Sequence, residues 1–173
     1  MQFTPGQLVI HPHHGPATVQ DTITRTVGGV ERVYVTLRVQ RSDLTVSLPA
    51  DAAEEVGIRA LLSTEQLQEV LDVLQAPSEP FEKQWSRRMK AQQERLLLGD
   101  LTVTAAVVRD LVRRDLEGGL APAEKDLLKK ARKPLLGEFV EALGLSDERA
   151  EELLVDAVTG RDVPRPGDLA PTG

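Results

Sequence analysis

Val30-Glu-Arg-Val-Tyr-Val-Thr-Leu-Arg-Val-Gln40 is the stretch on which the reading of the fold turns. Val33, Val35, Leu37 and Val39 alternate with Tyr34, Thr36, Arg38 and Gln40, the period of two expected of a strand with one face on a core. Gly28-Gly29 joins this run to a second extended run over residues 17–27, and a glycine pair accepts the positive φ that a tight hairpin turn demands. Further out, Leu8, Val9 and Ile10 make a short strand before the loop His11-Pro-His-His-Gly-Pro16. On the other side Leu44, Val46 and Leu48 alternate up to Pro49. Four or five short strands in so little chain predict a small, strongly bent antiparallel barrel of the SH3 or Tudor kind.

After Asp51 the period becomes helical. Ser63-Thr64-Glu65-Gln66 carries capping-box chemistry, and Leu67, Val70, Leu71 and Leu74 follow at helical spacing. Ala76-Pro-Ser-Glu-Pro80 breaks the chain and reads as a linker. Helices are then expected near 81–98, closed by Gly99, near 101–117, closed by Gly118-Gly119, and from Pro122 toward Leu143, stopped by Gly144. A last one over 147–158 has Ser146 as its N-cap. Pro134 should kink or interrupt the third of these, because it removes a backbone donor and its ring clashes with the preceding turn. The fold class is therefore α+β: a Tudor-like β domain over 1–60, then an all-helical domain over 61–159 whose first helix, 63–75, leads into the linker at 76–80. Residues 160–173, rich in Pro and Gly, are expected to be a disordered tail.

Composition narrows the function classes. Hydrophobic residues at 40% and charged residues at 28% describe a globular chain, and no apolar run approaches the roughly 18 residues of a membrane span. The opening Met-Gln-Phe-Thr-Pro-Gly lacks the basic and apolar regions of a secretory signal, so a cytoplasmic protein is expected. With no cysteine, disulfides and thiolate chemistry do not arise. The formal net charge of −6 conceals a basic centre: residues 83–133 hold 13 Lys/Arg against 7 Asp/Glu, while 1–82 and 134–173 are each net −6. With charges screened over about 8 Å at physiological salt, such a segment attracts phosphate locally whatever the flanks carry.

Within that segment stands Trp85-Ser-Arg-Arg-Met-Lys90. On a helix Trp85, Met89 and Leu96 share a face, flanked by Arg88 and Arg95 on one side and Lys90 on the other. Trp85 is either a core residue or a flat side chain that leaves the core at the first turn and meets a base or an opened minor groove. Further basic clusters, Arg109, Arg113 and Arg114, then Lys125, Lys129, Lys130, Arg132 and Lys133, lie on the following helices. They are either solvated faces or one shared phosphate-binding patch. His11, His13 and His14 invite a metal reading, but the sequence around them offers Pro and Gly in place of further ligands, and no metal is expected. No phosphate-cradling glycine loop, nucleophile elbow or convergent acid–base set is present, so neither an enzyme nor a cofactor is predicted.

Taken together, these residues resemble the CarD/CdnL family of bacterial RNA polymerase-binding regulators, whose first domain is shared with transcription-repair coupling factors. The landmarks are Gly6-x-x-Val9 with His11-Pro-His-His-Gly15, Asp43-Leu-Thr-Val46 with Pro49, Val56-Gly-Ile-Arg59, Trp85-Ser-Arg-Arg-Met-Lys90, Val107-Val-Arg-Asp-Leu111, Arg113-Arg-Asp115 and Leu120-x-x-x-Glu-Lys125. Their order spans roughly residues 1–157. The resemblance implies a Tudor-like domain that binds the polymerase β subunit and a helical domain that approaches promoter DNA. It further implies that Trp85 inserts at the upstream edge of the transcription bubble and that Arg87 and Lys90 contact DNA. Arg25 then belongs to the polymerase-binding surface.

Three positions depart from the family pattern. Ser47 stands where relatives often carry a basic residue, so the expected polymerase grip is either weaker or moved to Arg38 or Arg41. His11 stands where an aromatic is common, and Pro134 interrupts a helix that is unbroken in relatives. Arg25 also shares the parity of Ile23 and Val27, so either a bulge precedes it or the hairpin tip projects beyond the core. The reading as a whole is a monomeric, non-enzymatic regulator that bridges the polymerase β subunit and promoter DNA. Trp85, Arg87, Arg88, Lys90, Arg114, Lys125 and Lys130 are its DNA side, and Arg25 and Ser47 its polymerase side. The rival reading is an adaptor that touches only proteins.

Overall fold

The computed structural model describes residues 1–169, which form two compact units: Met1–Leu61, and the chain from Leu62 onward. In the first, β1 (Leu8–His11), β2 (Gly15–Val27), β3 (Val30–Val39), β4 (Thr45–Pro49) and β5 (Arg59–Ala60) make one antiparallel sheet in the order β4-β3-β2-β1-β5. Its core is Val9, Ala17, Val19, Val35, Leu37, Leu48 and Ile58, sealed by Ala53 of the short helix α1 (Ala53–Val56). The chain leaves α1 through Gly57, whose φ of 96° lets the amides of Gly57 and Ile58 reach back to the carbonyls of Glu54 and Ala53.

The apolar alternation of β3 outruns this core. Val35, Leu37 and Val39 are buried, but Val33 is exposed. The cause lies across the hairpin, where the β2–β3 register shifts between Val19 and Asp21. Gln20 is the extra residue of a bulge. Before it the odd positions Ala17 and Val19 face the core; beyond it Thr22 pairs with Val35, so Ile23, Arg25 and Val27 turn to the other face. Both explanations of the parity of Arg25 therefore hold: a bulge precedes it, and the hairpin tip extends past the core.

His11 fills a buried position at the end of β1. Its Nδ1 accepts hydrogen bonds from the backbone N–H groups of His13 (3.1 Å) and His14 (3.3 Å), which ties the loop onto the sheet. Burial, reinforced by the charges of His14 and His13, pushes the His11 imidazole below the ordinary histidine pKa. Among the described residues no group of three or more His, Asp or Glu is placed to hold a metal ion.

The second unit is helical: α2 (Thr64–Gln75), α3 (Trp85–Leu97), α4 (Leu101–Gly118), α5 (Pro122–Leu143), α6 (Asp147–Thr159) and α7 (Pro166–Leu169). The capping box at Ser63 is realised: Ser63 Oγ accepts from Gln66 N–H while Gln66 Oε1 accepts from Ser63 N–H. Asp100 and Ser146 cap α4 and α6 without the reciprocal bond, Asp100 accepting from the N–H groups of Thr102 and Val103 and Ser146 from that of Arg149. Buried Ala105, Val108 and Leu111 make α4 the central helix, packed by α2, α3, α5 and α6. No helix among the described residues is long and apolar enough to cross a membrane.

Three expectations are corrected here. Pro134 does not interrupt α5, which runs through it. The proline costs about 3 kcal/mol, but the turns beyond it bury Leu135, Phe139 and Leu143 completely or nearly so, worth about 1.5–3 kcal/mol each. The expected disordered tail is ordered over its described part: Pro166 is buried and Val163 and Leu169 pack on the helical core, while residues 170–173 lie outside the described residues. Finally, Ala76–Pro80 is not a break between modules. Arg113 Nη1 donates to Ala76 O (2.8 Å) and Ser78 Oγ (2.9 Å), and Arg109 Nη1 to Val73 O (2.9 Å). Two arginines of α4 thus satisfy the free carbonyls at the end of α2 and hold that segment within the helical unit.

Residues 62–169 are therefore expected to melt cooperatively, and residues 77–169 not to. The shorter chain discards buried Leu67, Val70, Leu71 and Leu74, a loss that rivals the ~5–15 kcal/mol net stability of a whole domain. Circular dichroism melts with dye binding check this, and equally cooperative melts of the two chains would remove α2 from the unit.

Candidate nucleic-acid interface

Trp85 is the first residue of α3. The preceding Gln84 is extended (φ −73°, ψ 120°) and makes no side-chain cap. Further along the helix Met89 is buried and Leu96 packs on the core, so that face anchors α3. Trp85 lies one turn earlier, past the edge of the packing, and is 47% exposed. It takes no part in the core, and the packed-tryptophan reading falls.

The chain entering α3 is held by an internal ion cluster. Glu124, in the first turn of α5, is 1% exposed. Its Oε1 accepts from Arg88 Nη2 at 2.7 Å and from Arg114 Nη1 at 3.3 Å. Burial alone would raise the Glu124 carboxyl, but hydrogen bonds and charges from Arg88 and Arg114 outweigh it and hold the group below its ordinary pKa. Arg88 Nη1 also donates to the carbonyls of Glu82 (3.2 Å) and Lys83 (3.4 Å), the two residues before the cap. Phe81 lies against the same pair, its ring centroid 5.5 Å from the Arg88 guanidinium and 5.2 Å from that of Arg114.

The seven residues expected on the DNA side consequently divide. Arg88 is buried, and Arg114 is half-buried in the same cluster, so both are occupied within the protein. Trp85, Arg87, Lys90, Lys125 and Lys130 are exposed. Lys90 makes only a loose pair with Glu94, at 3.9 Å one turn on. Arg88 and Glu124 join the start of α3 to the start of α5, so Trp85, Arg87 and Lys125 are each within three residues of one shared contact. Lys129 and Lys133 continue from Lys125 along one exposed line of α5 with about 6 Å of rise per step, whereas Lys130 lies about 140° round the helix from Lys125. The basic cluster on α4 is internal: besides its bonds to α2, Arg109 pairs with Asp110 at 2.8 Å, and Arg113 Nε donates to Val158 O at 3.0 Å.

Sequence reasoning passed over Phe81 and the role of Glu124. A signal existed for the second. Glu124, Leu127, Leu128, Ala131 and Leu135 share the inward stripe of α5, and a carboxylate in an apolar stripe calls for buried donors or cations.

On the β unit, Arg25 and Arg32 stand directly across β2 and β3, exposed, with the Arg25 guanidinium 5.4 Å from the Tyr34 ring centroid. Ile23–Tyr34–Pro49 and Asp21–Thr36–Ser47 form the next rows of that face, and Arg38 lies opposite Thr45 beyond them. Ser47 is exposed on β4, an edge of the sheet. Arg41, at the turn that follows β3, has a φ of 57°.

Residues 3–62 match the family described as CarD-like/TRCF RID domain, and residues 69–155 match CarD, C-terminal domain. The chain belongs to the CarD family. The second match begins inside α2, upstream of the Ala76–Pro80 segment, in keeping with the place of that helix in the second unit. The chain is similar to the putative transcription factor YdeB of Bacillus subtilis, 24% identical over 147 residues that span 85% of this chain and 96% of that protein. A similar solved structure is the solution NMR structure of the 72-residue N-terminal domain of Myxococcus xanthus CarD, with 25% identity and a TM-score of 0.30. That likeness covers 34% of this chain and 79% of the other.

Glu124→Ala leaves two arginines facing each other with no counter-charge, and is expected to cost the helical unit about 3–5 kcal/mol in urea denaturation. Because the folded pKa is depressed, the contribution of Glu124 is complete above the unfolded value of about 4.3 and is lost as pH falls through the folded one. The difference between wild type and Glu124→Ala should therefore shrink below that pH.

Proposed function

We propose that this protein is a non-catalytic transcription regulator that binds the RNA polymerase β subunit through its β unit and stabilises the promoter open complex through its helical unit. The observation that carries this reading is Trp85, 47% exposed at the first turn of α3 with Arg87 and Lys90 beside it. A flat apolar side chain left outside the core, among cations, suits a wedge against a base step that is already unstacking. Arg87, Lys90, Lys125 and Lys130 supply phosphate contacts, which orient the wedge without reading sequence. Arg88 and Arg114, engaged with Glu124, are supports of this surface and not contacts. Preference for a bubble edge over plain duplex then follows from the shape of the opened DNA, and the protein acts as a monomer.

On the β unit the supporting feature is the cross-strand Arg25–Arg32 pair. Like charges facing each other on a sheet cost some tenths of a kcal/mol to about 1 kcal/mol, a cost that an acidic partner surface removes. Exposed Ile23 and half-buried Tyr34 of the same face add apolar contact area. Ser47 lies one row further on, and Arg38 supplies the cation nearest to it along the sheet.

Two measurements test the two halves separately. Trp85→Ala is expected to shorten the open-complex lifetime about five- to a hundredfold, the equivalent of roughly 1–3 kcal/mol of base–aromatic stacking, with the melting of the helical unit unchanged. An unaltered lifetime would refute the wedge. Arg25→Glu is expected to weaken binding to the isolated β subunit at least tenfold in calorimetry while binding to forked DNA stays the same. Equal β affinity would take Arg25 out of the interface.

A further inference from the structure

Of the five aromatic residues in this chain, Phe139 is fully buried, Phe3 packs on the β core and Tyr34 lies partly covered beneath Arg25. The other two, Phe81 and Trp85, are four residues apart and exposed, Phe81 by 55%. Four extended residues reach at most about 14 Å, so both rings lie within a span of neighbouring nucleotides.

Exposed phenylalanines are ordinarily loose, and a single one calls for no explanation. Phe81 differs in being held. The Arg88 and Arg114 guanidiniums bear on its ring at 5.5 and 5.2 Å, and neither is free to leave because buried Glu124 binds both. The chain between Phe81 and Trp85 is fixed as well, through the Glu82 and Lys83 carbonyls that accept from Arg88. A ring set against two cations keeps its remaining surface toward solvent, beside the exposed cations Lys83 and Arg87. This arrangement rejects a cationic occupant, which would be repelled by the guanidiniums behind the ring. It suits a flat, uncharged π-system attached to a phosphate backbone.

We infer that Phe81 is a second stacking face, which receives an unpaired base of the strand separated beside Trp85. This rests on the reading of Trp85 as a wedge and adds to it. Trp85 would hold the edge of the opened duplex and Phe81 a nearby base of the freed strand, so that the surface prefers forked to intact DNA through two aromatic contacts. Glu124 is then the positioning residue for both.

The test uses the full chain and a forked duplex whose unpaired arm carries, at successive positions, a fluorescent adenine analogue that dims on stacking. Wild type is expected to quench it at two positions, one lost in Trp85→Ala and the other in Phe81→Leu. Leucine keeps apolar cover over the arginines but has no π-face, so affinity for the fork should fall roughly five- to tenfold with intact-duplex affinity and thermal midpoint unchanged. Phe81→Tyr should restore both quenching and affinity. If Phe81→Leu quenches and binds as wild type does while Trp85→Ala does not, this inference falls and the wedge stands. If neither variant differs from wild type, both fall. A thermal midpoint lowered in both Phe81→Leu and Phe81→Tyr, with the quenching pattern unchanged at equal occupancy, would make Phe81 a cover for the arginines and overturn the stacking role.

Discussion

A single carboxylate oxygen organises the helical unit. Glu124 Oε1 receives one guanidinium from α3 and one from α4 while its own backbone opens α5. Three helices meet at that atom. Taking such charges out of water is expensive, and mutual attraction repays it only when the geometry is good and the remaining donors find acceptors. Here Arg88 Nη1 finds the carbonyls of Glu82 and Lys83, while the buried Nε of Arg88 is left without a hydrogen-bond partner among the described residues. The cluster therefore fixes the chain that leads into α3 through its carbonyls, which is not what a cap does, since a cap accepts from the first amides of the helix. It sets where α3 begins, and so which residue is left standing beyond the packed face.

The arginines of α4 show the same economy of cations. Arg109 and Arg113 satisfy carbonyls at the end of α2, and Arg113 reaches one at the end of α6 as well. Donors engaged in this way are not available to an outside ligand. A basic segment of this kind is partly a scaffold, and its exposed cations lie on α3 and along α5.

The sequence made the secondary structure legible where the pattern was long and periodic. The hairpin at Gly28-Gly29, the Ser63 capping box and the glycine stops at Gly119 and Gly144 all appear where residue chemistry puts them. It failed where a local signal met a tertiary one. Pro134 reads as a breaker, but Leu135 and Phe139 are held by the rest of the core. Ala76–Pro80 reads as a linker because its partners, Arg109 and Arg113, lie more than thirty residues away. The site divided in the same way. The exposure of Lys90 agrees with helical spacing, but spacing puts Trp85 on the face of buried Met89, and it is exposed because the packing stops a turn short of it. Nothing local distinguishes Arg88, turned inward, from Arg87, turned outward, until the carboxylate that selects one of them is located.

The bulge at Gln20 carries a further consequence. Its side chain is exposed, so the position tolerates replacement by most residues of similar backbone preference. Its loss would not disturb the faces either. Without it Asp21 would follow Val19 directly and still pair with Thr36, leaving Thr22 opposite Val35 and Arg25 opposite Arg32. What the extra residue adds is a local kink and a stronger twist. It governs the direction in which the hairpin tip leaves the sheet, and not which side chains the tip presents.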